Sequence, residues 1–379
     1  MILGVFPPQG GSIAGLRRAG QDGRFVNSYL RTYARSFEKV YYFSYANEEA
    51  ELPPNCYLVR NPGYHRYAYA FLLPLVQRKY IQACDVFRVM QMYGALPAVL
   101  AKLLYGKPFV GTYGYRYLTD AHTQGMRCRA VLFEWRALLG LNLADRVIVT
   151  TNELSAYVSR FVSPSRLMLL PNGVDTVLFR FSGERTARLE RTVVYVGRLS
   201  LVKNLALLID AVALIREPKV RLVIVGAGEL RGQLEAHAAD RGIVCEFAGV
   251  LPHEELPRVL NDADVFVLPS SREGHPKALL EAMSCGLPCV GSDVPGIRDV
   301  LRHNETGLLC DLSERDLADK ITQLLVDTDL ARRLGESASR FAREHFDLID
   351  LLGRETEALT LAASKRAYGR GTDNDQDLP

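Results

Sequence analysis

Short runs of apolar, often β-branched residues alternate with segments of helical period along most of the chain. Each run is bounded by glycine, proline or a polar turn, which is the pattern that strands show. The predicted strands are Ile2–Phe6, Val40–Phe43, Cys56–Val59, Phe109–Thr112, Arg146–Val149, Leu167–Leu170, Val193–Gly197, Arg221–Val225, Val244–Phe247, Val265–Leu268 and Pro288–Val290. The predicted helices are Arg24–Phe37, Leu96–Tyr105, Gly125–Gly140, Asn152–Phe161, Leu205–Ile215, Glu229–Arg241, Glu254–Asn261, Glu314–Val326, Leu330–Phe346 and Leu348–Ala367.

This alternation predicts the doubly wound α/β class, in which helices cover both faces of a parallel sheet. Two sheets suit so many strands better than one sheet of more than about ten. A turn-rich segment, Pro171–Asp175, marks the seam, and the polar stretch that follows to Arg191 is interpreted as the linker. We expect domains over 1–172 and 173–347, with the helix at about 348–367 as a candidate to pack back on the first. Residues 368–379 are predicted to be a flexible tail.

Charge separates the two halves of the chain. The 379 residues are 48% hydrophobic and 23% charged, which is enough for two domains with full cores. Residues 1–170 carry 20 Lys/Arg and 10 Asp/Glu (20 − 10 = +10), and the remainder carries 26 and 33 (26 − 33 = −7). Such a one-sided basic field indicates an anionic partner. The basic residues are too dispersed for a nucleic-acid-binding module, so no nucleic acid is expected.

The cysteines and the N-terminus indicate the compartment. The seven cysteines are scattered and form no CxxC or Cys/His cluster, so we expect a reduced, cytoplasmic protein without structural zinc. The opening MILGVFPPQGG lacks a basic leader and is interpreted as a first strand. No stretch approaches the roughly 18 apolar residues that span a bilayer, so any membrane contact is expected to be peripheral.

The segment SREGHPKALLEAMSCG, 271–286, carries the most informative chemistry. It follows an apolar strand and predicts a helix from Pro276 to Cys285, because proline suits the first helical turn and glycine the residue past the last. Free N–H groups of that first turn, together with the carboxyl end of the strand, favour an anion such as a diphosphate. Glu273 precedes the helix and Glu281 lies about two turns along. This is the layout of a nucleotide-sugar site.

Two cations follow the strand Val193–Val196. Arg198 and Lys203 lie in the turn GRLSLVKN, where they are placed to flank a phosphate and to stabilise the charge of a departing nucleoside diphosphate. Taken alone, two such cations are better interpreted as solvated residues at a helix start, and it is the neighbouring motifs that favour a phosphate site. The GAG at 226–228 lacks the third glycine of the dinucleotide fingerprint and is interpreted as a tight turn. The DxD at 262–264 begins a buried strand, so no metal is expected.

These motifs together resemble the group 1, glycogen-synthase-like family of retaining nucleotide-sugar glycosyltransferases. The resemblance rests on PNGVD at 171–175, VGRLSLVKN at 196–204, VIVGAGEL at 223–230, LPSSREGHPKALLEAMSCGLPCVGSD at 268–293 and NETGLL at 304–309. It covers roughly residues 145–345 by motif and the rest by pattern. It implies the GT-B fold, with two Rossmann-like, doubly wound parallel-sheet domains facing across a cleft.

The resemblance also implies roles for individual residues. Arg198 and Lys203 would bind the donor diphosphate, Glu273 the hydroxyls of the transferred sugar, and Glu281 the ribose. The remaining donor-binding candidates are backbone and loop positions: Gly10, Gly11, Gly197, Gly249, Val250, Leu251, His275, Pro276, Lys277, Ala278 and Leu279. The family needs no metal and no cofactor, because the cations and the helix dipole supply the electrostatic stabilisation.

The N-terminal half departs from the family pattern. Many relatives carry a histidine after the strand Phe109–Thr112, where this chain has Tyr113, and often another near the position of Arg88. Tyr113 is predicted to take the catalytic place through its phenol. Arg88, Asp120 and His122 are acceptor-side candidates, and the last two are otherwise ordinary loop residues. The side chain of His275, beside Glu273, is interpreted as a structural variation rather than as a catalytic base.

Residues 64–80 mix aromatic, apolar and basic side chains in the half that the family uses for its acceptor. One interpretation is an amphipathic helix that docks on anionic lipid, on the inner face of the membrane, and reaches a lipid-linked acceptor. The other is a core helix with a solvated basic edge.

The sequence therefore predicts a retaining, metal-independent hexosyltransferase that uses a UDP- or GDP-sugar and an acceptor hydroxyl, in glycan, glycolipid or polysaccharide biosynthesis. Two alternatives stay open at this point. One is an epimerase or hydrolase of nucleotide sugars on the same fold, and the other is a catalytically silent nucleotide-sugar-binding subunit.

Overall fold

The computed structural model describes residues 1–115, 134, 137–183 and 190–369. The chain divides into two compact units. The first comprises Met1–Pro171 together with the segment that begins at Asp350, and the second comprises Asn172–Ile349. Each unit has its own sheet and its own buried hydrophobic core.

The sheet of the first unit has seven parallel strands in the order β3-β2-β1-β4-β5-β6-β7. Their bounds are Ile2–Phe6 (β1), Lys39–Phe43 (β2), Cys56–Val59 (β3), Val86–Val89 (β4), Phe109–Tyr113 (β5), Arg146–Val149 (β6) and Leu167–Leu169 (β7). The sheet of the second unit has six parallel strands in the order β10-β9-β8-β11-β12-β13. These are Glu190–Val196 (β8), Lys219–Val225 (β9), Val244–Gly249 (β10), Val265–Leu268 (β11), Cys289–Ser292 (β12) and Leu308–Cys310 (β13).

Helices connect these strands as the alternating pattern predicts. In the first unit the α-helices are Ile13–Arg18, Asp22–Arg24, Arg31–Ser36, Arg66–Val76, Arg78–Ala83, Leu96–Tyr105 and Asn152–Val158, and 137–143 are also helical. In the second they are Leu205–Leu214, Arg231–Asp240, Leu256–Asp262, Lys277–Ser284, Pro295–Arg298, Glu314–Val326 and Thr328–His345. The final helix, Leu348–Gly369, runs from the second unit into the first. The predicted doubly wound α/β class is confirmed.

Two local features differ from the predictions. The helix predicted over Arg24–Phe37 forms, but with a π-helical stretch, Phe25–Leu30, between two α-helical pieces. The predicted linker is core at Phe179, which is fully buried in the second unit, and Val174 of the predicted seam pairs with Asp347. Apolar residues at these two positions stabilise the unit by burial, which a search for polar composition overlooks.

The last helix is held to the first unit by a buried ion pair. On β4, the guanidinium of Arg88 donates from Nε and Nη2 to the two carboxylate oxygens of Glu355, at 2.8 and 2.9 Å. Nη2 also donates to Thr112 on β5 at 2.7 Å, and the phenol of Tyr33 donates to Glu355. Burial and the Glu355 carboxylate raise the pKa of Tyr33, so the phenol keeps its proton and remains a donor.

Removing one partner of this pair is expected to destabilise the protein strongly. Glu355→Ala leaves the guanidinium of Arg88 buried without a counter-charge, which typically costs about 3–5 kcal/mol. Urea unfolding of the first unit measures the loss. Glu357→Ala, an exposed carboxylate on the same helix, is the matched control and is expected to change the unfolding free energy by less than about 0.5 kcal/mol. An equal effect of the two variants would contradict a special role for the buried pair.

Candidate functional site

Two predicted donor-site residues, Lys203 and Glu273, meet at the carboxyl ends of β8 and β11, which are neighbouring strands. Lys203 lies in the 3₁₀ turn Leu201–Lys203, and its Nζ is 2.5 Å from Oε1 of Glu273. The same oxygen accepts a hydrogen bond from the hydroxyl of Ser270 at 2.7 Å. Because the amide of Ser271 donates to the carbonyl of Val202 at 2.9 Å, the two loops are joined by their backbones as well.

Arg198 lies on the first of these loops with its side chain exposed. Within the described part of the chain, its guanidinium has neither a hydrogen-bond acceptor nor a carboxylate partner. Its carbonyl accepts a hydrogen bond from the phenol of Tyr195 at 2.9 Å. Burial and the Glu273 carboxylate raise the pKa of Tyr195, which keeps this phenol protonated. The backbone of Arg198 is therefore fixed while its charge remains accessible to a ligand.

Two glycines after β9 allow a third loop to join the site. A Cβ on Gly226 would lie 1.9 Å from the carbonyl oxygen of Gly197, and one on Gly228 would lie 2.1 Å from that of Leu199. Both distances are far inside van der Waals contact, and Gly226 also has a φ of +137°. The predicted tight turn is thus a close packing of backbone on backbone that buttresses the loop carrying Arg198.

The predicted helix after β11 forms over Lys277–Ser284, with Pro276 as its N-terminal cap and Gly286 at a φ of +63° beyond its end. Its first-turn N–H groups, those of Lys277, Ala278 and Leu279, belong to the helix end that favours an anion. The loop before it is fixed from outside. A Cβ on Gly296 would lie 2.2 Å from the carbonyl oxygen of Gly274, so that this backbone packs without a gap.

Glu281 is buried one turn further along this helix, beside a histidine that the sequence analysis did not select. Nε2 of His253 lies 3.0 Å from Oε1 of Glu281, and each side chain is at most 6% exposed. His253 follows β10 and the loop Gly249–Leu251, in which Gly249 has a φ of +72° and Val250 is exposed. The only sequence signal for His253 was its place directly after that loop.

The glycine-rich loop of the first unit follows β1. Gly10 has a φ of +83°, and a Cβ on Gly11 would lie 2.8 Å from the carbonyl oxygen of Pro8. The helix that follows already has an anion at its N-terminus, because the carboxylate of Glu48 accepts from the amides of Ile13 and Ala14 at 2.9 and 2.7 Å. A phosphate is therefore not expected at this helix end.

Three predicted site residues have buried side chains. Tyr113 is fully buried, and its phenol donates to Glu134 at 2.8 Å. The guanidinium of Arg88 is paired with Glu355 inside the first unit. His275 packs edge-on against Phe346, with ring centroids 5.2 Å apart, and is a core residue. In each case the tertiary structure buries the side chain, and burial of this kind cannot be read from a single sequence. Asp120 and His122 lie outside the described residues.

Family models match both halves of the chain. Residues 182–341 match the model described as glycosyl transferases group 1, and residues 23–178 match glycosyltransferase family 4. The fold and the convergent cations define a glycosyltransferase of the GT-B class, and the chain belongs to the group 1 glycosyltransferases.

Individual relatives give the extent of the similarity. The GDP-mannose:cellobiosyl-diphosphopolyprenol alpha-mannosyltransferase of Xanthomonas oryzae pv. oryzae is 30% identical over 266 residues, 67% of this chain and 68% of that protein. The UDP-Gal:alpha-D-GlcNAc-diphosphoundecaprenol alpha-1,3-galactosyltransferase of Escherichia coli is 31% identical over 202 residues, 49% of this chain, and the chain spans about half (52%) of its length. The sucrose-phosphate synthase structure from Thermosynechococcus elongatus has a TM-score of 0.79 at 22% identity, covering 98% of this chain and 100% of that one.

The burial of His275 predicts that the stability of the protein depends on pH. Burial, with Lys277 as a second cause, lowers the pKa of His275 from 6.5 to about 4. Because the unfolded chain then binds the proton more readily, stability is full above about pH 6.5 and falls as the pH drops toward 4. One pKa unit corresponds to about 1.4 kcal/mol, so the total loss is about 3.5 kcal/mol.

His275→Phe removes this titration and keeps the ring against Phe346. The difference in unfolding free energy between pH 7.5 and pH 5.0, measured by urea unfolding, is expected to be smaller in the variant than in the wild-type protein. An identical pH dependence in both proteins would show that other groups cause the acid sensitivity.

Proposed function

We propose that this protein is a retaining, metal-independent glycosyltransferase that moves a hexose from a UDP- or GDP-sugar to a hydroxyl of a lipid-linked glycan acceptor. The observation that carries the proposal is the contact of Lys203 with Glu273, which lies shortly before the Lys277–Ser284 helix, while the exposed Arg198 lies on the same loop as Lys203. Two cations and a helix N-terminus form an anion site, and a carboxylate within 2.5 Å of one cation adds an acceptor for sugar hydroxyls.

The chemistry follows from where charge develops. As the bond between the anomeric carbon and the diphosphate oxygen breaks, negative charge grows on the leaving phosphate. Arg198, Lys203 and the helix N–H groups are placed to stabilise it, which is the task a divalent metal would otherwise perform. The acceptor oxygen bonds to the same carbon on the same face, and its proton passes to the departing phosphate. Glu273 then orients the sugar through its hydroxyls.

The relatives support retention and the donor class. Their names specify GDP-mannose and UDP-Gal as donors and alpha-linked products. Both nucleotide sugars are themselves α-linked, so an α-linked product means that the configuration is kept. The names also specify diphosphopolyprenol and diphosphoundecaprenol acceptors, which are lipid-linked. Both relatives are transferases. Their names therefore support neither of the two alternatives, a nucleotide-sugar epimerase or hydrolase and a catalytically silent subunit.

A surface of the first unit suits an acceptor held in a lipid bilayer. The helix Arg66–Val76 buries Tyr69 and Leu73 against the core and exposes Tyr67, Phe71 and Leu75 at intervals of four residues. Such spacing puts the three exposed side chains on one face. Phe71 and Leu75 are 58% and 56% exposed, which is unusual for large apolar residues.

Three cations, Arg66, Arg78 and Lys79, border the stripe of Tyr67, Phe71 and Leu75 along the chain. We name these six residues the lipid-facing surface. The guanidinium of Arg66 lies 4.9 Å from the ring centroid of Tyr67, so charge and aromatic surface adjoin. An apolar stripe bordered by cations suits a membrane interface with anionic lipids. None of the helices in the described ranges combines the length and apolar composition that a bilayer-spanning segment requires.

Removal of either cation or of the carboxylate tests the reaction. Arg198→Ala, Lys203→Ala and Glu273→Ala are each expected to lower kcat on the order of 10² or more, because each removes a group that acts on the transition state. The assay measures initial rates with the UDP- or GDP-sugar that binds best in a donor panel. Arg332→Ala, an exposed arginine with only surface ion pairs, is the control and should retain wild-type rates. Near-wild-type rates in all three site variants would contradict the proposed function.

Vesicle binding tests the lipid-facing surface. Phe71→Ser with Leu75→Ser is expected to weaken co-sedimentation with phosphatidylglycerol-containing vesicles at least about tenfold, since each buried side chain contributes about 1.5–3 kcal/mol. Vesicles of phosphatidylcholine alone should bind the wild-type protein weakly. Val326→Ser, an equally exposed apolar residue of the second unit, is the control. Wild-type binding by the double variant would place any membrane contact elsewhere.

A further inference from the structure

His253 connects two parts of the proposed donor site, the loop assigned to the base and Glu281. It lies four residues beyond Gly249, so it directly follows the loop assigned to the base. Its ring packs on Phe179, with centroids 4.9 Å apart, and only 3% of the residue is exposed. On its other side, Nε2 reaches Oε1 of Glu281 at 3.0 Å.

The direction of this hydrogen bond follows from the chemistry of the carboxylate. An ionised carboxylate only accepts, so Nε2 of His253 carries the proton and donates it to Glu281. Both side chains are buried, and a buried carboxylate is stable only when its oxygens are well paired. His253 therefore holds the carboxylate of Glu281 in the orientation that the structure displays.

The position of Glu281 makes this orientation matter for a ligand. Its helix presents its N-terminus to the proposed diphosphate, and Glu281 lies one turn along from that end. A nucleoside diphosphate bound with its phosphates there and its base near Gly249 has its ribose between the two. A carboxylate that is fixed in advance recognises the two ribose hydroxyls at a lower entropic cost than a mobile one.

We propose that His253 is a positioning residue which fixes the carboxylate of Glu281 for the ribose hydroxyls, so that the site selects ribonucleotides over 2′-deoxyribonucleotides. This inference rests on the proposed function, because it needs the donor nucleotide to bind in the second unit. It adds to that function the residue on which discrimination between ribose and 2′-deoxyribose depends. His253 itself does not need to touch the ligand.

The experiment measures the ratio of two affinities. The dissociation constants of UDP and 2′-deoxy-UDP, and of GDP and 2′-deoxy-GDP, are determined by isothermal titration calorimetry for the wild-type protein and its variants. In His253→Ala the ribonucleotide is expected to bind at least about tenfold more weakly, the size typical of a lost hydrogen bond to a charged group, while the deoxynucleotide changes little. The ratio therefore falls toward one. Glu281→Ala should give the same low ratio.

Two further variants separate positioning from general stability. His253→Gln places an amide N–H near the position of Nε2 and is expected to restore most of the discrimination. His237→Ala removes a histidine that pairs with Asp210 at the surface of the same unit, and it should leave the ratio unchanged. Thermal unfolding of each variant establishes that it is folded at the temperature of the titration.

The outcomes distinguish a failure of the positioning role of His253 from a failure of the proposed function. A ratio that stays at its wild-type value in a folded His253→Ala protein overturns the positioning role and leaves the proposed function intact. An equal loss of affinity for ribo- and deoxynucleotide also overturns it, because that result indicates only a damaged site. If the wild-type protein binds none of the four nucleotides, both the proposed function and this inference fail.

Discussion

Parallel pairing of every strand in the second unit is the constraint on which the candidate site depends. Strands that run in the same direction end at the same edge of the sheet, so the loops after β8, β9, β10 and β11 collect there. Residues that are 70 positions apart, such as Lys203 and Glu273, then come into direct contact. No antiparallel arrangement of these strands would place their loops together.

The loops stay together because backbone atoms approach where side chains are absent. Gly226, Gly228 and Gly296 each lie so close to a neighbouring carbonyl that any other residue would force a loop apart. The electrostatics add a second condition. Glu273 accepts from Lys203 on one loop and from Ser270 on the other, so its carboxylate joins the two loops.

The sequence predicted the parts of this structure that depend on local pattern. The strands Ile2–Phe6, Cys56–Val59 and Val265–Leu268 formed with the predicted bounds, because each is a short apolar run between turn residues. β4 was missed because Arg88 interrupts its apolar run. The residue that neutralises this arginine, Glu355, is 267 positions away, and nothing near Arg88 indicates it. His253 was missed for the same reason, since its carboxylate partner lies on another element.

The anchoring of the last helix also has a consequence for how the protein is made. The chain leaves the first unit after Pro171 and returns at Asp350, so the second unit is continuous in sequence and the first is not. During synthesis the second unit is complete before the ribosome has added Glu355. Until then the guanidinium of Arg88 lacks the carboxylate of Glu355, although all the strands of its sheet have already been translated. The first unit to begin is therefore the last to be finished, and its assembly depends on the orderly folding of the unit inserted within it.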